Sequence, residues 1–208
     1  MQKTPSRARL IGGLAAAAIL IAFGVASVVQ GLDGRMTVND ALAQEAIVGT
    51  PTMSPSAISA EIKKSGVSGI DVPACTVAGQ PIEDGTSARC FAEYMRVDAL
   101  MATGGKTYAQ MPRFATKDGK GTNVEAQALT YPNGRAMDNP ARNVWVTETA
   151  LSNALNTSYM AQQVSLFGIA VGAAFLLLGL ALVAFALGGV RVPAPKPVRA
   201  RQPEGALS

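Results

Sequence analysis

Two long stretches without a charged residue dominate the hydrophobic pattern of the chain, Leu10 to Val29 and Val164 to Val190. Each has at least the length of about 20 residues that an α-helix needs to cross a hydrocarbon core about 30 Å thick. The second stretch is rich in Leu, Val and Phe, which favour insertion into a bilayer. The pattern therefore predicts two transmembrane helices, at residues 10–30 and 163–190.

The first stretch also resembles a signal peptide, because Lys3, Arg7 and Arg9 precede it and Ala41-Leu42-Ala43 resembles a peptidase site. That site lies 12 residues after Val29. The stretch is also longer than the apolar region of about 7–15 residues in a typical signal peptide. We therefore expect a retained membrane anchor rather than a cleaved segment.

Short amphipathic segments separated by turns fill residues 31–162, which predicts a small, mainly helical domain between the two spans. Gly31 and Gly34 are expected to end or loosen the first helix, with a separate short helix reaching about Val48. Ser54-Pro55 supplies an N-cap followed by Pro at the first helical position, and that helix should stop at Gly66.

The segment from Ser87 to Thr103 has the clearest helical pattern of this domain. Its polar stripe consists of Arg89, Glu93 and Arg96. Asp98 falls on the opposite, apolar side, where a buried carboxylate must be paired or have a raised pKa. We expect a paired structural carboxylate there, with a functional acid as the alternative.

Residues 104–134 lack a sustained period and predict long loops with a short helix near residues 124–129. They form the expected recognition surface. From Asn139-Pro140 a helical pattern continues without Gly or Pro to the second span, which predicts one helix of about 50 residues. Trp145 on this helix is expected in the core of the domain.

The distribution of charge predicts the topology. The flanking segments 1–9 and 191–208 hold 7 of the 18 basic residues and 1 of the 14 acidic ones, which leaves a formal charge of −2 between them. By the positive-inside rule both termini lie in the cytoplasm of a two-pass plasma-membrane protein, and residues 31–162 lie outside. The slightly acidic domain excludes a nucleic-acid partner, which requires a basic patch.

Cys75 and Cys90 are the only cysteines, and the predicted topology places both in an oxidising compartment. A disulfide is the simplest interpretation. A zinc site is the alternative, but it normally needs four Cys, His or carboxylate ligands and the chain contains no His. We therefore predict a disulfide and no metal ion or other cofactor.

Catalytic motifs are incomplete in this chain. Gly105-Lys106-Thr107 resembles the end of a phosphate-binding loop, but Leu100 stands where the motif requires glycine. Gly66-Val67-Ser68-Gly69 resembles a nucleophile elbow, but Ile70 stands where its last glycine belongs. A Ser-His pair cannot form without His. The sequence therefore predicts a protein that is not an enzyme.

Small residues recur at four-residue spacing in both spans, Gly168 and Gly172 in the second and Ala18, Ala22 and Ala26 in the first. Such rows let membrane helices approach closely. They predict association of the two spans with each other or with a partner. The alternative is that Gly and Ala are simply common in membrane helices.

Four segments resemble a family of uncharacterised actinobacterial membrane proteins: Tyr108-Ala109-Gln110-Met111, Asp118 to Asn123, Asp138 to Asn143 and Trp145 to Leu151. The resemblance covers roughly residues 90–190. It implies two spans around an outer domain and no known activity. Relatives sometimes carry a ring-opening dioxygenase label, but such enzymes hold iron with His, so the label is not transferred to a chain without His.

These features predict a non-enzymatic, membrane-anchored accessory or scaffold protein of the cell envelope. Its expected partners are the lipid bilayer and other envelope membrane proteins or a second copy of itself. The alternative is an extracytoplasmic sensor or ligand-binding module that uses the loops at residues 104–134.

Overall fold

The computed structural model describes residues 7–187, with the backbone alone at Ala8 and Arg9. Its helices are α1 (Arg7–Gln44), α2 (Pro55–Ser65), α3 (Gly85–Ala102) and α4 (Pro140–Ala186), with short 3-10 helices at Tyr108–Gln110 and Glu125–Gln127. Within residues 7–187 there are isolated β-bridges but no strand. The predicted, mostly helical class is confirmed. The predicted tail at 191–208 and most of that at 1–9 lie outside the described residues.

Helix α1 is longer than predicted, because Gly31 and Gly34 do not interrupt it. A Cβ atom built on Gly31 would lie 2.7 Å from the carbonyl oxygen of Ser165, and one on Gly34 would lie 2.7 Å from the Ser165 hydroxyl. These glycines therefore permit close contact between α1 and α4 instead of ending a helix. The predictions of a helix break at these glycines and of a separate helix after it were therefore wrong.

The chain folds into two compact units, and the first contains the described residues 7–26 and 171–187. In this unit α1 and α4 run antiparallel and touch through small residues. A Cβ atom on Gly24 would lie 2.8 Å from the carbonyl oxygen of Gly172, and one on Gly179 would lie 3.1 Å from that of Ala17. Small residues seven positions apart thus bring the two backbones together.

Both α1 and α4 are long and apolar enough to cross a membrane. Only 11% of the residues in the most apolar window of each helix are buried within the protein. Large side chains such as Phe23, Phe167, Leu177 and Phe185 are exposed. A core helix of a soluble protein would bury such residues. A signal sequence near the N-terminus has the same composition as α1.

The second unit, residues 27–170, is a helical domain around α3. Its core contains residues from all four helices and their connections, including Leu42, Met53, Ile58, Val77, Ile82, Tyr94 and Leu155. Helix α3 begins two residues before the predicted Ser87 because Asp84 and Ser87 form a capping box. The first helical position leaves no room for a side chain, because a Cβ atom on Gly85 would lie 2.7 Å from the Tyr159 Cα.

The predicted disulfide joins Cys75 to Cys90, with the Cα atoms 6.0 Å apart. It attaches the connection between α2 and α3 to the first half of α3. The buried Tyr94 hydroxyl donates a hydrogen bond to the Cys75 carbonyl oxygen over 2.6 Å. The connection is therefore held to α3 at adjacent points by one covalent and one hydrogen bond.

Residues 103–139 form a long connection held by isolated bridges from Phe114 to Thr122 and Asp138. The predicted helix at residues 124–129 is reduced to the single 3-10 turn at Glu125–Gln127. Met111 from this connection packs with Ala99 and Trp145 in a small second core. The predicted burial of Trp145 is therefore confirmed.

Candidate functional site

An apolar groove of about 670 Å³ lies in the helical domain between the end of α1, α3 and α4. Its walls include side chains from each of these helices and from the connection after α1, among them Leu42, Ile47, Met53, Phe91, Met95 and Leu151. Leu151 is 49% exposed and is the most accessible of these apolar side chains. The groove therefore presents a concave apolar surface to solvent.

A neighbouring cavity of about 600 Å³ shares Met95 and Asp98 with the groove and continues toward the end of α3 at Ala102. Val144 and Thr147 of α4 line its other side. The groove and this cavity together form what we call the α3–α4 groove. It follows α3 from Phe91 to Ala102, about 17 Å at 1.5 Å per residue.

Three carboxylates, Glu45, Asp98 and Glu148, line the α3–α4 groove, whose lining contains no Lys or Arg. Glu148 forms an ion pair with Arg96, whereas Glu45 and Asp98 form none within residues 7–187. The Asp98 side chain reaches solvent but lies against apolar neighbours, and this partial desolvation raises its pKa. The negative charge of Glu61 raises that pKa further. The apolar surroundings predicted for Asp98 are present, but its side chain is exposed and has no hydrogen-bond partner within the described part of the chain.

The predicted polar stripe of α3 divides into two ion pairs. Arg89 Nε lies 3.4 Å from Glu93 Oε1 on the exposed side of the helix. Further along the stripe, Arg96 Nη1 lies 3.2 Å from the buried Oε2 of Glu148 on α4. Sequence reasoning missed Glu148, although its position three residues after Trp145 places it on the same helix face.

Glu148 is 4% exposed, and its carboxylate also accepts a hydrogen bond from the Ser152 hydroxyl over 2.7 Å. The Arg96 guanidinium lies 4.5 Å from the centre of the Trp145 ring. These contacts fix α3 against α4 along the groove. The network is a structural support for the groove, since its charges already have partners.

A smaller polar cavity of about 500 Å³ lies where α4 begins. Tyr108 and Arg113, from the loops predicted as a recognition surface, line it together with Asp138 and Arg142. The predicted loops thus supply two residues of this cavity, and no signal in the sequence indicated that α4 would complete it.

Comparison with protein-family models, curated proteins and solved structures finds no match. No group of three or more His, Cys, Asp or Glu residues that could hold a metal ion occurs in residues 7–187.

The two glycines predicted to mediate helix association differ in how closely they approach α1. Gly172 is buried at the contact with Gly24 in the first unit. In the second unit, a Cβ atom on Gly168 would lie 3.8 Å from the Ser27 carbonyl oxygen, an ordinary contact distance.

The row of Ala18, Ala22 and Ala26 is exposed. These residues do not form the contact between α1 and α4. The prediction that this row joins the two spans to each other was therefore wrong. Ala17, Gly24 and Gly31 take that role instead. Association of the alanine row with another protein stays a prediction.

Proposed function

We propose that this protein is a non-enzymatic accessory protein of the cell envelope that binds a basic, amphipathic segment of another envelope protein. The α3–α4 groove carries the proposal, because it combines an apolar lining with Asp98 and Glu45 and has no basic residue. Grooves of this kind accept the apolar face of a helix. Their charges select partners of opposite sign and suppress those of like sign.

The proposed location is the plasma membrane, with α1 and α4 as the two spans. The exposure of their large apolar side chains supports this location, because contact of such a surface with water is costly. The basic residues in both flanks support cytoplasmic termini and an outer position for residues 31–162. The disulfide supports the same orientation, since disulfides persist in oxidising compartments.

The dimensions of the groove suit a helical partner. Its length of about 17 Å along α3 corresponds to roughly three turns of a bound helix. Three turns place about four apolar side chains on one face, at spacings of three and four residues. Lys or Arg residues beside that face would lie near Asp98 and Glu45. The partner is therefore expected to present a short basic, amphipathic helix.

Site-specific photo-crosslinking in cells tests this proposal. A photoreactive amino acid replaces Leu151 in the full-length tagged protein, and the crosslinked peptide is identified by mass spectrometry after extraction in mild detergent. Replacement of Val124 gives the matched control, because that side chain is 52% exposed and lies outside the groove. We expect a defined partner at Leu151 and none at Val124.

Charge reversal provides the second arm. Asp98→Lys should abolish the crosslink at Leu151, while Glu125→Lys, which changes an exposed carboxylate outside the groove, should preserve it. The crosslinked peptide should contain basic residues beside apolar ones at helical spacing. An acidic peptide, or a crosslink that survives Asp98→Lys, contradicts the proposal. Recovery of no partner at Leu151 also contradicts it.

A further inference from the structure

The polar cavity at the start of α4 has the composition of an anion site. Arg113 and Arg142 line it with Tyr108, Asp138 and Asn143. Neither guanidinium forms an ion pair within residues 7–187. Two arginines without a carboxylate partner around one cavity of about 500 Å³ leave charge and hydrogen-bond donors available to a ligand.

Arg142 is the less exposed of the two donors. Its guanidinium carbon lies 3.9 Å from the centre of the Tyr108 ring. Its Nε atom is buried and has no hydrogen-bond partner among the described residues. A buried donor without a partner is costly, and a bound acceptor would remove that cost.

The loop that carries Arg113 is fixed to the start of α4 by hydrogen bonds. The Asn139 side-chain amide donates to the Pro112 carbonyl oxygen over 3.0 Å, and the Asn139 backbone N–H donates to that of Arg113 over 2.9 Å. The Arg113 backbone N–H donates to the Asn123 side chain over 2.9 Å. The two arginines are therefore held on connected backbone segments rather than on independent loops.

We propose that this cavity binds the phosphate or carboxylate group of a small polar molecule. The planar guanidinium group matches the geometry of both oxyanions. The start of α4 adds the positive end of its dipole. Its first N–H groups do not contribute directly, because Asn139 accepts hydrogen bonds from the N–H groups of Ala141 and Arg142, each over 3.1 Å.

Asp138 lines the same cavity and carries a negative charge that opposes an anion. It can accept a hydrogen bond from a hydroxyl or amino group of the same ligand. This arrangement favours a molecule that has such a group beside its oxyanion. The site makes the domain a ligand-binding module, independently of the groove.

Isothermal titration of the full-length protein in detergent micelles tests this proposal, with inorganic phosphate as the probe and sodium chloride holding the ionic strength constant. We expect saturable binding that Arg113→Gln and Arg142→Gln each weaken by about tenfold. Arg135→Gln is the matched control, because Arg135 is exposed and lies outside the cavity. It should leave the affinity unchanged.

Asp138→Asn supplies a readout that loss of folding cannot imitate, since it should strengthen phosphate binding by removing a like charge. Absence of saturable binding to phosphate and to acetate overturns the proposal, as does equal weakening by Arg135→Gln. Tighter binding of phosphate than acetate assigns a phosphate ester, and the reverse order assigns a carboxylate. The photoreactive replacement of Leu151 adds no charge and lies outside the polar cavity, so it should leave phosphate affinity unchanged. Failure at the groove is therefore distinguishable from failure here.

Discussion

The guanidinium of Arg96 on α3 lies 3.2 Å from the buried carboxylate of Glu148 on α4. Arg89, seven residues earlier on α3, has similar neighbours on the surface: an exposed Glu93 at 3.4 Å and the Tyr159 ring at 4.8 Å. The two arginines thus differ mainly in the burial of their carboxylate partners. A buried carboxylate that loses its partner costs much more than an exposed one.

Arg96→Met should therefore lower the free energy of unfolding by about 2–3 kcal/mol, because Glu148 stays buried with only neutral hydrogen-bond partners. Arg89→Met is the matched control and should cost less than about 1 kcal/mol. Chemical denaturation of the full-length protein in detergent measures both. Equal effects of the two substitutions would show that burial of Glu148 does not determine the stability.

The disulfide should contribute measurably to a domain of this size. For its sequence separation of 15 residues, the chain-entropy relation gives roughly 3 kcal/mol. The double variant Cys75→Ala, Cys90→Ala should lose about this amount in chemical denaturation. A reductant should lower the stability of the native protein toward that of the variant and leave the variant unchanged. A variant as stable as the oxidised protein would contradict this expectation.

Local signals predicted three of the four helices well. Ser54-Pro55 and Gly66 bound α2, the apolar stripe defines α3, and Asn139-Pro140 begins α4. Helix α1 was predicted too short because glycine has two opposite uses. Glycine is common at helix ends, but Gly31 instead allows α1 to pack closely against Ser165 of α4. Whether a glycine ends a helix or permits close packing depends on the residue it meets from a distant part of the chain, which the local sequence does not reveal.

The candidate sites were less predictable than the helices. The position of Asp98 among apolar residues followed from helical spacing, but the groove depends on how three helices meet. Arg96 and Glu148 are 52 positions apart, and their pairing has no local signature. The polar cavity likewise joins Arg113 to Arg142 through tertiary contacts. Sites whose residues are this far apart in the sequence can be recognised only in the three-dimensional structure.

Asp98 should make the stability depend on pH. Its pKa is raised by desolvation and by Glu61, so the folded state binds this proton more tightly than the unfolded state. The resulting stabilisation is complete below the pKa of an unfolded aspartate, about 3.9, and is lost as pH rises through the higher folded value.

Asp98→Asn keeps a neutral side chain at every pH. It should melt at a higher temperature than the native protein at pH 7, and the difference should shrink toward pH 4. Melting curves of both proteins across this range measure the effect. Glu125→Gln, an exposed substitution outside the groove, provides the control. A difference between Asp98→Asn and the native protein that is independent of pH would contradict the raised pKa.

The contact between α1 and α4 in the first unit should tolerate no side chain at Gly24. A Cβ atom there would lie 2.8 Å from the Gly172 carbonyl oxygen and 2.8 Å from Leu176 Cγ. Gly24→Ala should therefore destabilise the helix pair, and Gly24→Leu should do so more strongly, by about 1–3 kcal/mol as overpacking typically costs. Unfolding in mild detergent measures this series.

Ala22→Leu is the matched control on the same helix, because Ala22 is exposed, and it should change the stability by less than about 0.5 kcal/mol. It also separates the two roles predicted for small residues. If the row of Ala18, Ala22 and Ala26 contacts another membrane protein, Ala22→Leu should reduce recovery of that partner without reducing stability. Equal tolerance of leucine at positions 22 and 24 would contradict the close helix contact at Gly24.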